Sequence, residues 1–217
     1  MKHIYCVSGL GADEGVFSKY DFNGNIVHYI KWEIPLPRET IQHYAKRLSL
    51  QIKYANPVLV GLSFGGILCI EISKIIPSDL IIVISSVKSF HEIPYWMRLA
   101  GKLKLNKIFP VQPFKLIEPL ENYNLGVENE AEKKMAAAYR ANVDRGYCRW
   151  SVNQILNWNN EWRPENLFHI HGSNDRIFPL KKIKADHVIE GGGHFMIMNR
   201  AELVSAHVNQ ILRVNQV

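Results

Sequence analysis

The sequence is poor in cysteine and has no long apolar run. Cys6, Cys69 and Cys148 are an odd number without a close pair, which argues against a disulfide framework and against a metal or redox motif. We therefore expect inert thiols and no metal site. The apolar stretches, such as residues 80–86, are far shorter than the roughly 20 residues that cross a bilayer, so no membrane span is predicted.

The sequence also lacks a secretion signal and a nucleic-acid-binding motif. The N-terminus enters a predicted strand without a long apolar region and cleavage site, so we expect a cytoplasmic protein. The net charge is +6, but the basic residues are dispersed. We therefore favour ordinary solubility charge over a nucleic acid, an anionic membrane surface or an anionic substrate as its explanation.

The size and the apolar content allow one domain over residues 1–217. The chain is 47% hydrophobic, enough to bury one core. Short apolar strands alternate with helices, and this order predicts an α/β fold, a three-layer α/β/α sandwich with a mostly parallel sheet. The predicted strands of the first part are 3–7, 26–30, 57–62 and 80–84, and the predicted helices are 40–56 and 64–76.

Between residues 88 and 162 the pattern changes from strands to helices rich in aromatic and basic residues. Three or four helices are predicted there, including segments 95–109, 128–142 and 149–158. Strands are predicted to resume at 166–171 and 186–189. A last amphipathic helix places on one face the residues Val204, His207, Val208, Ile211 and Leu212. Residues 88–162 are therefore predicted to be a helical lid inserted within the domain.

Four loops that follow predicted strands contain glycine together with residues that can take part in chemistry, such as serine, aspartate and histidine. They are residues 8–11, 61–65, 172–175 and 191–194. In a parallel sheet the carboxyl ends of the strands lie at one edge, where function gathers. We therefore expect these loops to converge on one site.

Ser63 is the predicted nucleophile. It lies in a Gly-x-Ser-x-Gly turn between an apolar strand and a helix, and this context is typical of a strand-to-helix nucleophile elbow. Gly61 and Gly65 stand where backbone approaches too closely for a side chain. The alternative is a glycine-rich turn without a catalytic role.

A serine needs a base and a group that orients the base. His194 follows three glycines after a strand and is the predicted base, with a surface-loop histidine as the alternative. Asp175 follows the strand ending at His171 and is the predicted acid, with a turn or capping role as the alternative. The chain order Ser, Asp, His favours the triad, and His171 is expected to support the turn.

The backbone N–H groups of Leu10 and Phe64 are the predicted oxyanion donors. Phe64 follows the nucleophile at a helix start, and Leu10 lies in the glycine-rich loop after the first strand. Asp13 and Glu14 follow that loop. They either polarise it or, as we favour, only solvate it.

Together these residues resemble the α/β-hydrolase family. Residues 61–65 match its elbow, residues 8–11 its oxyanion loop, and Asp175 and His194 its acid and base. The likeness covers nearly the whole chain and implies a lid inserted after the strand that ends near Ser86. The chain departs from the family in two ways. The family's opening antiparallel strands are expected to be missing, and the oxyanion loop lacks the histidine that often begins its His-Gly motif.

The lid residues have two readings. If the lid lines an acyl pocket, its predicted walls are Trp96, Met97, Tyr139 and Trp150, with Leu99, Leu103, Leu156 and Trp158 as further candidates. The alternative, expected to hold for more than half of them, is that they pack the lid onto the sheet. A basic run either steers an anionic substrate or, as we favour, is a solvated helix face; it comprises Arg98, Lys102, Lys104 and Lys107.

We predict a serine hydrolase that cleaves an ester or thioester of a small molecule through an acyl-serine, without a metal or organic cofactor. The resemblance also implies lyases, carbon–carbon bond hydrolases and dehalogenases as relatives, because one fold hosts many activities. A serine at position 63 disfavours the last, which needs a carboxylate nucleophile. The alternative from another class is a non-catalytic small-molecule receptor that signals through lid movement.

Overall fold

Six parallel strands form one sheet in the computed structural model, which describes residues 1–105 and 117–215. The order across the sheet is β2-β1-β3-β4-β5-β6, and all five neighbouring pairs are parallel. The strands are β1 (His3–Val7), β2 (Ile26–Tyr29), β3 (Val58–Leu62), β4 (Leu80–Ile84), β5 (Leu167–Gly172) and β6 (His187–Ile189). The predicted α/β class with a parallel sheet is confirmed.

Helices connect the strands, and short 3-10 turns lie at Glu14–Phe17, Phe90–Glu92 and Leu180–Lys182. The helices of the described residues are α1 (Ile41–Ser49), α2 (Phe64–Ser73), α3 (Tyr95–Lys102), α4 (Glu118–Leu125), α5 (Glu130–Asn142), α6 (Arg145–Asn157), α7 (Met196–Asn199) and α8 (Ala201–Val214). Helices α3 to α6 follow β4 and precede β5, in the segment where the sequence predicts three or four helices. None of the helices in the described ranges is long and apolar enough to cross a membrane.

Alternate strand residues feed two cores, one on each face of the sheet. Tyr5 and Val7 pack with α1 and α2, whereas Ile4 and Cys6 pack with α8 on the other face. This is the three-layer arrangement, and β-strand geometry explains it because successive side chains point to opposite faces. Burial raises the pKa of the Cys6 and Cys69 thiols, so both stay protonated, in line with inert thiols.

Three helices end earlier than the sequence pattern predicts. Helix α2 ends at Ser73 instead of near residue 76. Helix α1 ends at Ser49 because the N–H groups of Leu50 and Gln51 bond three residues back, at 3.1 Å each, in a tightening turn. The sequence predicted a longer helix because Ile52 continues the apolar period of α1. Ile52 does pack against the core, but it lies outside the helix. Helix α3 ends at Lys102 instead of continuing toward residue 109; residues 106–109, including Lys107, lie outside the described ranges.

Candidate active site

Ser63 lies at the turn between β3 and α2 in an uncommon backbone conformation, with φ 51° and ψ −117°. Its N–H donates to the carbonyl oxygen of Ile84 at 2.8 Å, at the end of neighbouring β4. Its own carbonyl oxygen accepts from the Ser86 hydroxyl at 2.7 Å. These bonds hold a strained non-glycine residue in place, as strained residues require.

Close backbone approach explains the two elbow glycines. A Cβ atom on Gly61 would lie 2.5 Å from the carbonyl oxygen of Gly65. A Cβ atom on Gly65 would lie 2.2 Å from the carbonyl oxygen of Val7 and 2.4 Å from that of Ser8. The elbow is therefore pressed against the end of β1, which brings the first loop beside Ser63.

The structure brings Ser63, His194 and Asp175 together from three loops. The Nε2 atom of His194 lies 2.9 Å from the Ser63 hydroxyl oxygen, and its Nδ1 atom lies 2.8 Å from Oδ2 of Asp175. An ionised carboxylate only accepts hydrogen bonds, so Nδ1 carries the proton and Nε2 faces the serine with its lone pair. In this tautomer the imidazole is set to accept the serine proton.

The Asp175 carboxyl is buried, 3% exposed, yet it is held ionised. Burial by itself raises its pKa, but the His194 ring, followed by His171 and the N–H of Phe178, outweighs burial and lowers the pKa. Its Oδ1 accepts from the N–H groups of Ile177 and Phe178, both at 2.9 Å. These bonds leave Oδ2 directed at the imidazole.

Two buried histidines lie behind the carboxylate. Nε2 of His171 is 2.8 Å from the carbonyl oxygen of Phe178, so this nitrogen carries a proton and donates. Nδ1 of His171 then accepts from Nε2 of His169 at 3.1 Å. His171 thus braces the turn that presents Asp175, which is the supporting role that the sequence predicts for it.

Acidification from about pH 7.5 to about pH 5.5 is expected to destabilise the protein. Burial lowers the pKa of both His169 and His171, and the neighbouring ring and Lys88 lower it further for His169. In the folded state these two imidazoles therefore take up protons only at a lower pH than in the unfolded chain, where a histidine titrates near pH about 6.5. Their contribution to stability is present above that pH and is lost as the pH falls below it. Each such imidazole contributes a slope of at most about 1.4 kcal/mol per pH unit. Urea unfolding across this range measures the loss.

A matched pair of variants isolates the contribution of the buried ring. His169→Gln keeps a donor near the position of Nε2 but removes the titrating group, and is expected to flatten the dependence of stability on pH. His91→Gln removes an exposed histidine, 66% accessible at its side chain, and is expected to leave the dependence as it is. Equal slopes for both variants and the wild type would contradict the assignment.

The loop after β1 lies beside the nucleophile. A Cβ atom on Gly9 would contact Cβ of Ser63 at 3.4 Å. The loop is internally braced, because the Ser8 hydroxyl donates to the carbonyl oxygen of Ala12 at 2.7 Å. The N–H groups of Leu10 and Phe64 donate to no residue in ranges 1–105 and 117–215. Asp13 caps the following 3-10 turn by accepting from the N–H of Gly15 at 2.9 Å.

Helices α4 to α6 contact residues in or next to all four loops of the site. The carbonyl oxygen of Leu125 in α4 accepts from the N–H of Phe195, next to His194, at 2.8 Å. Arg176, next to Asp175, donates to the carbonyl oxygen of Tyr123 at 2.7 Å. Gly11 approaches the carbonyl oxygen of Tyr139 in α5, and the Phe64 ring meets that of Trp150 in α6 edge-on at 6.0 Å.

The four predicted wall residues do not share one environment. Trp150 and Tyr139 lie at the site loops, and Met97 packs partly buried against the core that includes Phe64. Trp96 is 62% exposed on the outer face of α3. Trp158 follows the packing alternative, since it is buried and its Nε1 donates to Oε1 of Glu71 in α2 at 2.8 Å.

Trp32 is a site residue that the sequence reasoning missed. Its ring stacks on that of Phe64 with centroids 5.9 Å apart, and its Nε1 donates to the Ser8 hydroxyl oxygen at 2.8 Å. The ring of Tyr147 in α6 packs on the Trp32 ring, with centroids 5.2 Å apart. The available signal was its place just after β2, because the carboxyl end of that strand lies at the same edge of the sheet.

No metal site accompanies this arrangement in the part of the chain that the structure describes. No group of three or more His, Cys, Asp or Glu side chains there is placed to hold a metal ion.

Solved structures with the same fold are similar to this chain over nearly its whole length. An esterase of Thermogutta terrifontis has a TM-score of 0.73 at 16% identity, covering 100% of this chain and 91% of its own. A carboxylesterase of Nitrososphaera gargenis has a TM-score of 0.71 at 16% identity, covering 99% of this chain and 91% of its own. A candidate non-heme bromoperoxidase of Mycobacterium tuberculosis has a TM-score of 0.74 at 11% identity, covering 100% of this chain and 94% of its own. No family model and no curated protein sequence matches.

These similarities establish the fold. The sheet of parallel strands, the helices on both of its faces and the serine elbow after β3 are those of the α/β-hydrolase fold. The chain has this fold.

Proposed function

We propose that this protein is a serine hydrolase that cleaves an ester or thioester of a small molecule. The observation that carries the proposal is the hydrogen-bonded series from Ser63 through His194 to Asp175, with distances of 2.9 Å and 2.8 Å. The names of the similar esterases support the same reaction class. The fold alone would not, because it hosts several chemistries.

The reaction starts with the Ser63 hydroxyl. As its oxygen attacks the substrate carbonyl, Nε2 of His194 takes the proton, and Asp175 stabilises the imidazolium that forms. The imidazolium then gives the proton to the leaving alcohol or thiol, which departs and leaves an acyl-serine. Water, deprotonated by the same imidazole, attacks the acyl-serine; this releases the carboxylic acid and regenerates the serine.

The oxyanion formed in each step is assigned to the N–H groups of Leu10 and Phe64. Phe64 is the first residue of α2, so its N–H has no partner within the helix and lies at the positive end of the helix dipole. Leu10 follows Gly9, whose contact with Ser63 places this loop beside the nucleophile. Removing one such donor typically costs about 3 kcal/mol in the barrier.

We assign residues 88–162 the role of a lid over this centre. Its helices contact the loops of the oxyanion donors, the nucleophile, the acid and the base. The aromatic residues that meet at the elbow are Trp32, Phe64, Tyr147 and Trp150, and they favour an apolar acyl or alcohol group over a charged one. Met97 and Tyr139 complete the proposed walls. The predicted assignment of Trp96 to the pocket stays a prediction.

A fluorophosphonate probe tests the proposal because it labels only an activated serine. Stoichiometric labelling of the wild type is expected, with the adduct mapped to Ser63 by peptide mass spectrometry. The label should be lost in Ser63→Ala and retained in Ser18→Ala, which removes an exposed serine. A folded wild-type protein that takes up no label would favour the alternative of a non-catalytic receptor. If the wild type is labelled, a screen of fresh, unlabelled protein against esters and thioesters would then define the leaving group.

A further inference from the structure

Helix α3 and its C-cap turn an apolar stripe away from the protein. Tyr95, Leu99 and Leu103 recur at every fourth position and are 67%, 40% and 56% exposed, with Trp96 beside them at 62%. The opposite face of the helix is the packed one, since a Cβ atom on Gly101 would lie 2.6 Å from a carbonyl oxygen of α6. A helix that only covers a core turns its apolar face inward, whereas α3 has an apolar stripe on its outer face.

Three cations lie along this stripe, in a stretch of sequence without carboxylates. Arg98, Lys102 and Lys104 lie among the apolar residues, and the sequence from 93 to 117 contains no Asp or Glu. None of the three cations forms an ion pair with a described residue. The Arg98 guanidinium lies 5.3 Å and 5.8 Å from the ring centres of Phe90 and Tyr95, and its buried Nε donates to no described residue. No carboxylate of the described residues therefore neutralises these three charges.

A groove of about 660 Å³ lies between α3 and α6 next to the stripe. Its lining combines apolar rings with cations and includes Phe90, Tyr95, Arg98, Leu99, Lys102 and Trp158. Such a lining suits a molecule that has both an apolar part and an anionic group.

We propose that the face formed by Tyr95 to Lys104 docks on an anionic lipid bilayer. The rings of Tyr95 and Trp96 and the side chains of Leu99 and Leu103 enter the headgroup boundary, where aromatic and aliphatic residues of interfacial helices lie. The three cations face the lipid phosphates. A second copy of the chain is a poorer occupant, because a symmetric contact would place three cations against three cations. This surface goes beyond the proposed ester hydrolysis and does not depend on it.

Flotation with vesicles tests the docking. Binding is expected for vesicles of equal parts phosphatidylcholine and phosphatidylglycerol, and not for phosphatidylcholine alone. Since each cation near such a surface contributes several-fold, the triple variant Arg98→Gln, Lys102→Gln, Lys104→Gln should bind at least about tenfold more weakly. The double variant Trp96→Ser, Leu99→Gln should also lose binding, whereas Leu203→Gln, at an exposed leucine of α8, should keep it. Binding that is equal for all four proteins, or absent for the wild type, would overturn the proposal.

Tryptophan fluorescence gives a second, local readout. Adding anionic vesicles should shift the emission to shorter wavelength, and Trp96→Phe should remove this shift. Trp162→Phe, which changes a tryptophan 44% exposed elsewhere, should retain it. Ser63→Ala should bind vesicles like the wild type, so a failure of docking and a failure of the proposed hydrolysis can be told apart. A shift that survives in Trp96→Phe, or a concentration-dependent dimer in place of vesicle binding, would contradict the assigned face.

Discussion

Ser63→Ala is expected to lower kcat for short-chain p-nitrophenyl esters by about 10⁵-fold to 10⁶-fold, the size seen when a triad nucleophile is removed. The hydroxyl is the only group lost, and its hydrogen-bond partner is Nε2 of His194 at 2.9 Å. The thermal midpoint should therefore change little. Steady-state kinetics with a thermal melt of the same preparation measure both quantities.

The partner residues provide the internal check on this result. His194→Ala should cost about as much as Ser63→Ala, and the double variant should cost no more than either, because the residues act as one unit. Asp175→Asn should cost about 10⁴-fold by allowing the wrong imidazole tautomer. Ser18→Ala serves as the control with unchanged kcat. Full turnover in Ser63→Ala would place the nucleophile elsewhere and refute the proposed mechanism.

Gly65→Ala is expected to destabilise the fold by about 3 kcal/mol or more, at the upper end of overpacking costs. The added Cβ would lie 2.2 Å and 2.4 Å from the carbonyl oxygens of Val7 and Ser8. Both are backbone atoms at the end of a central strand, so no flexible side chain can move aside. Any shift that relieves the clash also moves the loop of Leu10, so activity should fall in the molecules that remain folded. Urea unfolding at constant pH measures the change in the free energy of unfolding.

Gly146→Ala is the matched control for a methyl group. Its Cβ would meet only Oδ1 of Asp144, at 3.1 Å, and Gly146 lies in the first turn of α6. Since alanine favours the helix over glycine by up to about 1 kcal/mol, stability should stay the same or rise. If Gly65→Ala proved as stable as Gly146→Ala, the close approach of the elbow to β1 would be refuted.

Local patterns in the sequence were sufficient for the main elements of the fold. The β-branched run Leu80–Ile84 predicted a strand covered on both faces, and all five residues are buried between neighbouring strands. The Gly-x-Ser-x-Gly turn between an apolar strand and a helix predicted an elbow, and Ser63 lies at that junction with positive φ. These features depend on neighbours a few positions away, so they can be read along the chain.

Contacts between segments that are distant in the sequence could not be predicted from these local patterns. The end of α1 at Ser49 accompanies bonds between Gln51 and the backbone of Lys31, which the apolar period does not register. The stacking of Trp32 on Phe64 requires β2 to lie next to β1 and β1 next to β3, and this order comes from the crossovers. The burial of Trp158 and the exposure of Trp96 likewise follow from how helices α3 and α6 pack.

The sequence by itself determined the parallel α/β architecture and selected Ser63, Asp175 and His194, because strand periodicity, glycine positions and chain order are local properties. Only the tertiary structure decided that these three side chains lie within hydrogen-bond distance, that His169 and His171 stand behind the acid, and that α3 turns its aromatic face outward. The reason is physical: Ser63 and His194 are 131 positions apart in the chain, and Asp175 and His194 follow different strands, so their distances are set by the packing of the whole sheet and its helices.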